Sequence, residues 1–530
     1  MSIRSRLFVA ALLAATALTT ATADARSVKW ARSGDALTLD PHSQNEGPTS
    51  SLGRQIYEPL VERAVDGKLV PTLAVSWRIT EDPTVWEFKL RPGVKFHNGN
   101  AFDAADVVFS LDRARLPTSD FKGYLTSVEK VTAVDAHTVH IKTKGPNPIL
   151  VENLTNLFIM DKEWSEANNA QKPQDFKNKE ENFAVRNANG TGPFTLISRE
   201  PDVRTVMRRN DGYWGRSQVP LEITELVLTP IKADATRVAA LLSGEIDFVQ
   251  DVPVQDVERL KSAPKVHVTI GPENRTIFLG MDMGSKELRS SDVKGKNPFA
   301  DRGVRQAVNM TVNRAAIQKV VMRGQSVPAG AIVPPFVNGY TKALDTAPVP
   351  DNAKAKALLA AAGYPNGFSV SFHCPNDRYL NDEAICQAVV GMLGQIGIKA
   401  NLVSQSKSLH FPLIQKAQTD FYLVGWGVPS FDSEYIFSYL YHSRTDKFGS
   451  WNATGYANAE IDKQIEGLSS ETDLAKRNAV IARIWDTVGG ETLYVALHHQ
   501  VLAHAMKNDL DIPVHPNNQV FFKLVSLRKS

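Results

Sequence analysis

The sequence predicts an α/β protein. Short runs rich in β-branched and aromatic residues alternate with stretches of helical periodicity along the whole chain. In the second half the order is helix then strand, repeated from KADATRVAALLSGEIDFVQ onward, as in lobes whose ligand-facing loops follow strand ends. No internal repeat of about 20–50 residues replaces this alternation. With 530 residues, 43% of them hydrophobic, the chain can bury more than one core, and roughly 150 residues per domain gives two to four domains.

The N-terminus reads as an export signal. Arg4 and Arg6 precede an apolar run from Leu7 to Leu18, and TTATADARS offers small-residue cleavage frames ending at Ala23 or Ala25. The run is shorter than the roughly 20 residues a membrane span needs. Residues 1–25 are therefore expected to be a cleaved signal peptide. No cysteine lies near the cleavage frames to carry a lipid, so a free periplasmic protein is expected.

Further elements follow in order. LDPHSQNEGPTS is a polar loop leading into a helix over SSLGRQIYEPLV, and VWEFKLRPGVKF reads as two β runs turned by Pro92-Gly93. Asp103 is placed to cap a helix whose Val107, Val108 and Leu111 share a face. KVTAVDAHTVHIKTK is a second β pair around Asp135-Ala136-His137, and Gly363 stops the helix DNAKAKALLAAAG. FSVSFHC, the helix bearing Cys386, IKANLVSQ and DFYLVGW then give strand, helix, strand, strand. Cys374 falls on the apolar face of the strand FSVSFHC and Cys386 on the apolar face of the following helix. A disulfide between them is sterically reasonable and suits an oxidising compartment. The alternative is two buried thiols.

Composition and motifs exclude several functions. The 60 basic and 57 acidic residues nearly balance, so no field of one sign points to a nucleic acid. The sequence has no G-x-x-x-x-G-K-[ST] phosphate loop, no G-x-S-x-G elbow and no H-E-x-x-H. His498-His499 would face opposite sides of a strand, one buried and one solvated. Asp432/Glu434 and Glu180/Glu181 are local carboxylate pairs, the number that glycoside hydrolysis uses. No catalytic residue, metal site or cofactor is expected.

Taken jointly, LDPHSQNEGPTSSLGRQIYEPLV, GKLVPTLAVSWRI, VWEFKLRPGVKFHNGNAFDAADVVFSLDRA, GTGPF, NDGYWG, NPFADRGVRQAVNMTVNR and AKALLAAAGYPNGF resemble the family 5 extracellular solute-binding proteins. These are the dipeptide, oligopeptide and nickel-type receptors of ABC importers. The resemblance implies a type II periplasmic binding fold: two α/β lobes that close on a ligand, with an extra domain on the first. Domain I would comprise residues 26–57, 186–283 and 500–530, domain II 58–185, and domain III 284–499. It implies a monomeric receptor that binds a peptide or peptide-like small molecule and docks on inner-membrane permease subunits driven by separate ATPase subunits. It also places Trp77, Trp86, Phe88 and Phe96 in the core of the extra domain.

Candidate ligand contacts follow from the same resemblance. Glu46 matches an acidic position of the cleft loop, or it caps a helix. Arg275 lies where the chain crosses between lobes, able to grip a carboxylate or to join a hinge ion pair. Arg378 sits beyond a strand end. In GWGVPSFDSEY, Gly425 and Gly427 would give a ligand close approach to the backbone, and Trp426 a flat apolar wall. Peptide receptors of the family carry an amine-anchoring aspartate three residues after this tryptophan, and here Pro429 stands there. Asp432 is the remaining candidate for that role, or a cap for EYIFSYLYH. A solute with a blocked amine, an opine-like or sugar conjugate, or a metal chelate would fit the proline more easily.

Overall fold

The computed structural model describes residues 26–176 and 178–528, so the expected signal peptide lies outside the described residues. Among these residues no helix is long and apolar enough to cross a membrane.

One sheet of eleven strands organises the molecule. At its centre Val266–Met281 and Tyr494–Lys507 run antiparallel, paired from Val266↔Lys507 to Gly280↔Tyr494. At about 3.3 Å per residue the first of them spans roughly 50 Å, enough to cross two lobes. Towards one edge lie Phe421–Gly427, Phe368–Pro375 and Ile398–Gln405, the last two parallel to each other. Towards the other lie Phe248–Val249, Arg26–Arg32, Ile223–Pro230, Arg204–Arg209 and Phe194–Glu200. The central ladder shifts register between Pro272 and Thr276. Pro272 has no N–H to give the ladder, and Glu273, Asn274 and Arg275 are left unpaired with the neighbouring strand at the crossing.

Side-chain alternation decides which core each strand feeds. Ile277, Leu279 and Met281 enter a cluster with Phe372, Phe421, Leu423, Val495 and Leu497. Their neighbours Phe278, Tyr422, Val424, Trp426, Tyr494 and Ala496 enter a second cluster on the opposite face. The sheet is thus covered on both sides here. His498 and His499, expected to be one buried and one solvated, are both buried for that reason. His499 bonds the Thr276 hydroxyl at 2.8 Å and Asp345 at 3.0 Å. Burial and the neighbouring His499 push His498 down to about 3, so it is neutral near pH 7.

A separate four-stranded sheet, ordered Ala74–Ile79, Val85–Leu90, Thr138–Thr143 and Val128–Asp135, is covered by helix Ala104–Ala114. Asp103 caps that helix. Trp86, Phe88 and Phe96 are buried in the core beneath it, with Trp77 packed alongside. The expected hairpin at Pro92-Gly93 is not formed. Gly93 turns the chain at φ +76, but Val85–Leu90 is already paired on both edges, by Ala74–Ile79 and Thr138–Thr143, leaving no edge for VKF.

The LDPH motif binds this domain to the main sheet. Asp40 and Arg113 form a fully buried bidentate pair at 2.7 and 2.6 Å. Arg113 also donates to the carbonyls of Ala170 and Lys172, and the His42 ring bonds the Phe158 carbonyl at 2.8 Å. Burial alone would raise the Asp40 carboxyl, but Arg113 and Asn182 outweigh it and hold the group at about 2. Burial, reinforced by Arg113, lowers His42 to about 4.

Cys374, on Phe368–Pro375, and Cys386, on helix Asp382–Gly394, are joined as a disulfide with Cα atoms 6.5 Å apart. The bond closes the loop of residues 376–381.

Two outcomes follow. Replacing Arg113→Met strands the Asp40 charge in the interior and should cost about 3–5 kcal/mol in urea unfolding at neutral pH. In the intact protein, stability should fall from pH 6.5 towards 4 as the unfolded state alone protonates its histidine, and from 3.8 towards 2 as Asp40 is lost. Second, reducing the disulfide should lower stability by about 3 kcal/mol. Thermal melts with and without reductant check this.

Candidate functional site

A cavity of about 520 Å³ opens at the break in the central ladder. Its walls come from the loop at Asn45–Gly47, residues Glu273–Arg275, which have no partner on Tyr494–Lys507, the loop residues Arg378 and Tyr379, the strand end 424–429 and the C-terminal segment 516–519. Asn274 ties three of these together. Its side chain donates to the Val428 carbonyl at 2.6 Å and its N–H to the Pro516 carbonyl at 2.8 Å.

The charged groups face one another across this space. Arg275 Nε donates to Glu273 Oε1 at 3.2 Å, and Gln500 holds the other oxygen of Glu273. Burial works against the Arg275 charge, but Glu273 and Tyr379 outweigh it and raise its pKa. Arg378 lies over the Tyr379 ring at 5.0 Å and has no carboxylate partner among the described residues. Burial and the nearby Arg275 both lower its pKa, although a guanidinium stays charged. The loop is anchored by Asp382, which accepts from the N–H groups of Arg378 and Tyr379, each at 3.0 Å. The cysteine pair at the two ends of this loop limits how far Arg378 can retreat.

Glu46 combines both roles open to it. It caps helix Gly47–Ile56, accepting from Thr49 N–H at 2.6 Å, and it lines the cavity.

Trp426 is buried in an aromatic group, with centroids 5.7 Å from Tyr435, 5.7 Å from Tyr439 and 5.4 Å from Trp451. Its indole N–H has no partner among the described residues. Gly425 lines the cavity, yet its missing side chain serves the protein: a Cβ would stand 2.5 Å from Ile277 and 2.7 Å from the Tyr379 ring. The Tyr379 hydroxyl can then donate to the Gly425 carbonyl at 3.1 Å. Gly427 is the strand partner of Arg275, and a Cβ there would stand 3.2 Å from the Asn274 carbonyl.

The structure brings Glu46, Arg275, Arg378, Gly425, Trp426 and Gly427 to one cavity and leaves Asp432 outside its lining. Of the two roles open to Asp432, the structure shows the helix cap, and Arg477 braces it. Arg477 Nη2 donates to it at 2.6 Å, and it caps the following helix by accepting from Glu434 N–H at 2.9 Å. Pro429 does line the cavity. Glu273, Asn274, Tyr379 and Trp451 were missed from the sequence. Glu273 and Asn274 had a signal, a polar pair after a proline beside an already suspected arginine, whereas nothing local marked Trp451.

Comparisons with known proteins agree with this architecture. The sequence model for Bacterial extracellular solute-binding proteins, family 5 Middle, matches residues 68–448. The chain is 26% identical over 519 residues to the glutathione-binding protein GsiB of Pectobacterium atrosepticum, covering 96% of each chain. It is 26% identical over 493 residues to GsiB of Escherichia coli O157:H7, covering 92% of this chain and 91% of the relative. Among solved structures, HbpA2 from Haemophilus parasuis superposes with TM-score 0.81 at 23% identity, over 95% of this chain and 100% of that one. The dipeptide binding protein of Pseudoalteromonas sp. SM9913, in complex with Met-Leu, gives TM-score 0.74 at 21% identity over 95% and 100%. The fold is that of the type II periplasmic binding proteins, and the chain belongs to the family 5 extracellular solute-binding proteins that serve ABC importers.

Proposed function

We propose that this protein captures a peptide-like solute carrying a free carboxylate between its two lobes and delivers it to inner-membrane permease subunits powered by separate ATPase subunits. The observation that carries this reading is the unpaired Arg378 guanidinium beside Arg275 in the cavity. Arg275 is half-buried and paired with Glu273, and the more exposed Arg378 has no carboxylate partner among the described residues; a ligand carboxylate between the two would relieve their repulsion while gaining charge-assisted hydrogen bonds. Trp426 and Tyr379 supply flat apolar surface beside that position. The relatives support the class, since GsiB is a glutathione-binding protein and a similar fold holds Met-Leu. Capture acts by differential binding, the ligand stabilising the closed state over the open one.

A second reading, a solute with no free amine such as an opine-like conjugate, is favoured by Pro429 in the cavity wall. A protein of this fold, AgaA, is known with agropinic acid bound.

Calorimetric titration with glutathione and with dipeptides tests the main reading. Arg378→Ala should weaken binding by about 1.5–3 kcal/mol, the worth of a charged hydrogen bond. Trp426→Ala should weaken it more than about tenfold, or 1.4 kcal/mol, in a folded protein. Unchanged affinity in both variants would contradict the placement of ligand in this cavity.

A further inference from the structure

The cavity does not end at Pro429. A second chamber of about 640 Å³ shares Asn45, Tyr124, Pro429 and Tyr435 with the first. The two adjoin along these residues, and their character differs. The first holds the two guanidiniums; the second is lined by tyrosines, small hydroxyl residues and the carboxylate of Glu434.

Glu434 is only 9% exposed. One of its oxygens accepts from the Ser438 hydroxyl, and the other has no hydrogen-bond or ionic partner among the described residues. The nearby carboxylate Asp432 is already matched by Arg477, so that arginine's charge is committed. Asp120 and Lys447 lie at the exposed rim of the same chamber. Tyr435 and Tyr439 stand 4.6 Å apart beside Glu434, and Tyr124 reaches the chamber from the extra domain. An uncompensated buried carboxylate is costly to keep, and burial, with Asp432 adding to it, raises the Glu434 pKa. Aromatic faces around a carboxylate form a receptor for an organic cation.

We propose that this second chamber is an ammonium subsite: Glu434, walled by Tyr124, Tyr435 and Tyr439, takes a protonated amine of the same solute whose carboxylate meets Arg275 and Arg378. The solute class is then a peptide-like zwitterion with its opposite charges held on either side of Pro429. The assignment rests on the proposed receptor function and deepens it. The proline removes a carboxylate from the middle of the path, and Glu434 supplies one further along.

The test uses triglycine, tetraglycine and glutathione, each with a free and an N-acetylated amine, titrated into the mature protein. The wild type should prefer the free amine by at least about tenfold, and Glu434→Gln should shrink that ratio to within about threefold. Arg378→Ala should weaken both forms alike. Glu434→Gln can keep the Ser438 hydrogen bond and removes an unpaired buried charge, so its thermal midpoint should be equal or higher. Tyr439→Ala, at a partly exposed position, is the second variant and should reduce the same ratio. A wild type without amine preference, or a preference unchanged in both variants, overturns the ammonium subsite while leaving the carboxylate reading intact. Failure of every probe to bind the wild type overturns both.

Discussion

Two strands, Val266–Met281 and Tyr494–Lys507, pair with each other and take different neighbours at their two ends. Any relative movement of the two halves of the sheet must pass through this ladder. The ladder loses its pairing between Pro272 and Thr276 and shifts again between Ile277 and Phe278. There the unpaired residues turn to the cleft: Glu273 and Arg275 as charges, Asn274 as the tie to Val428 and Pro516. The point where the sheet is interrupted is also where the proposed solute cavity opens.

The cleft's electrostatics follow from that arrangement. Several buried carboxylates elsewhere in the fold are matched within the protein. Asp40 is held by Arg113, Asp432 by Arg477, and Glu62 by Arg54 and Lys523. These pairs brace the domains, and removing one partner would leave a charge stranded in a dry interior. Arg378 differs in lining the cavity beside Arg275 with no carboxylate partner among the described residues.

Much of this was legible in the sequence, where local pattern decides the outcome. DFYLVGW is a short apolar run that reads as a strand, so the loop after it falls at a strand end and Trp426 reaches the cavity. Gly363 and Asp103 punctuate their helices through backbone geometry that needs no distant partner. The illegible part depends on residues far apart in the chain. Asp432 could be read as an anchor because Arg477 is 45 positions away. Gly425 and Gly427 were read as room for a ligand, and the sequence did not show that a Cβ at Gly425 would also meet Tyr379 and Ile277. The histidine pair was misread because pleat alternation does not reveal that a central strand is covered on both faces. Pro92-Gly93 makes a turn but cannot choose the partners of Val85–Leu90.

The account's central claim is that the cleft reads a small solute by its charges, with a carboxylate at the arginine end. Native mass spectrometry of the protein purified from its own host, followed by release and fragmentation of the retained molecule, tests this most directly. The account predicts a small peptide-like solute with a free carboxylate and a free amine. A retained solute with no carboxylate, or a metal complex in its place, would contradict it.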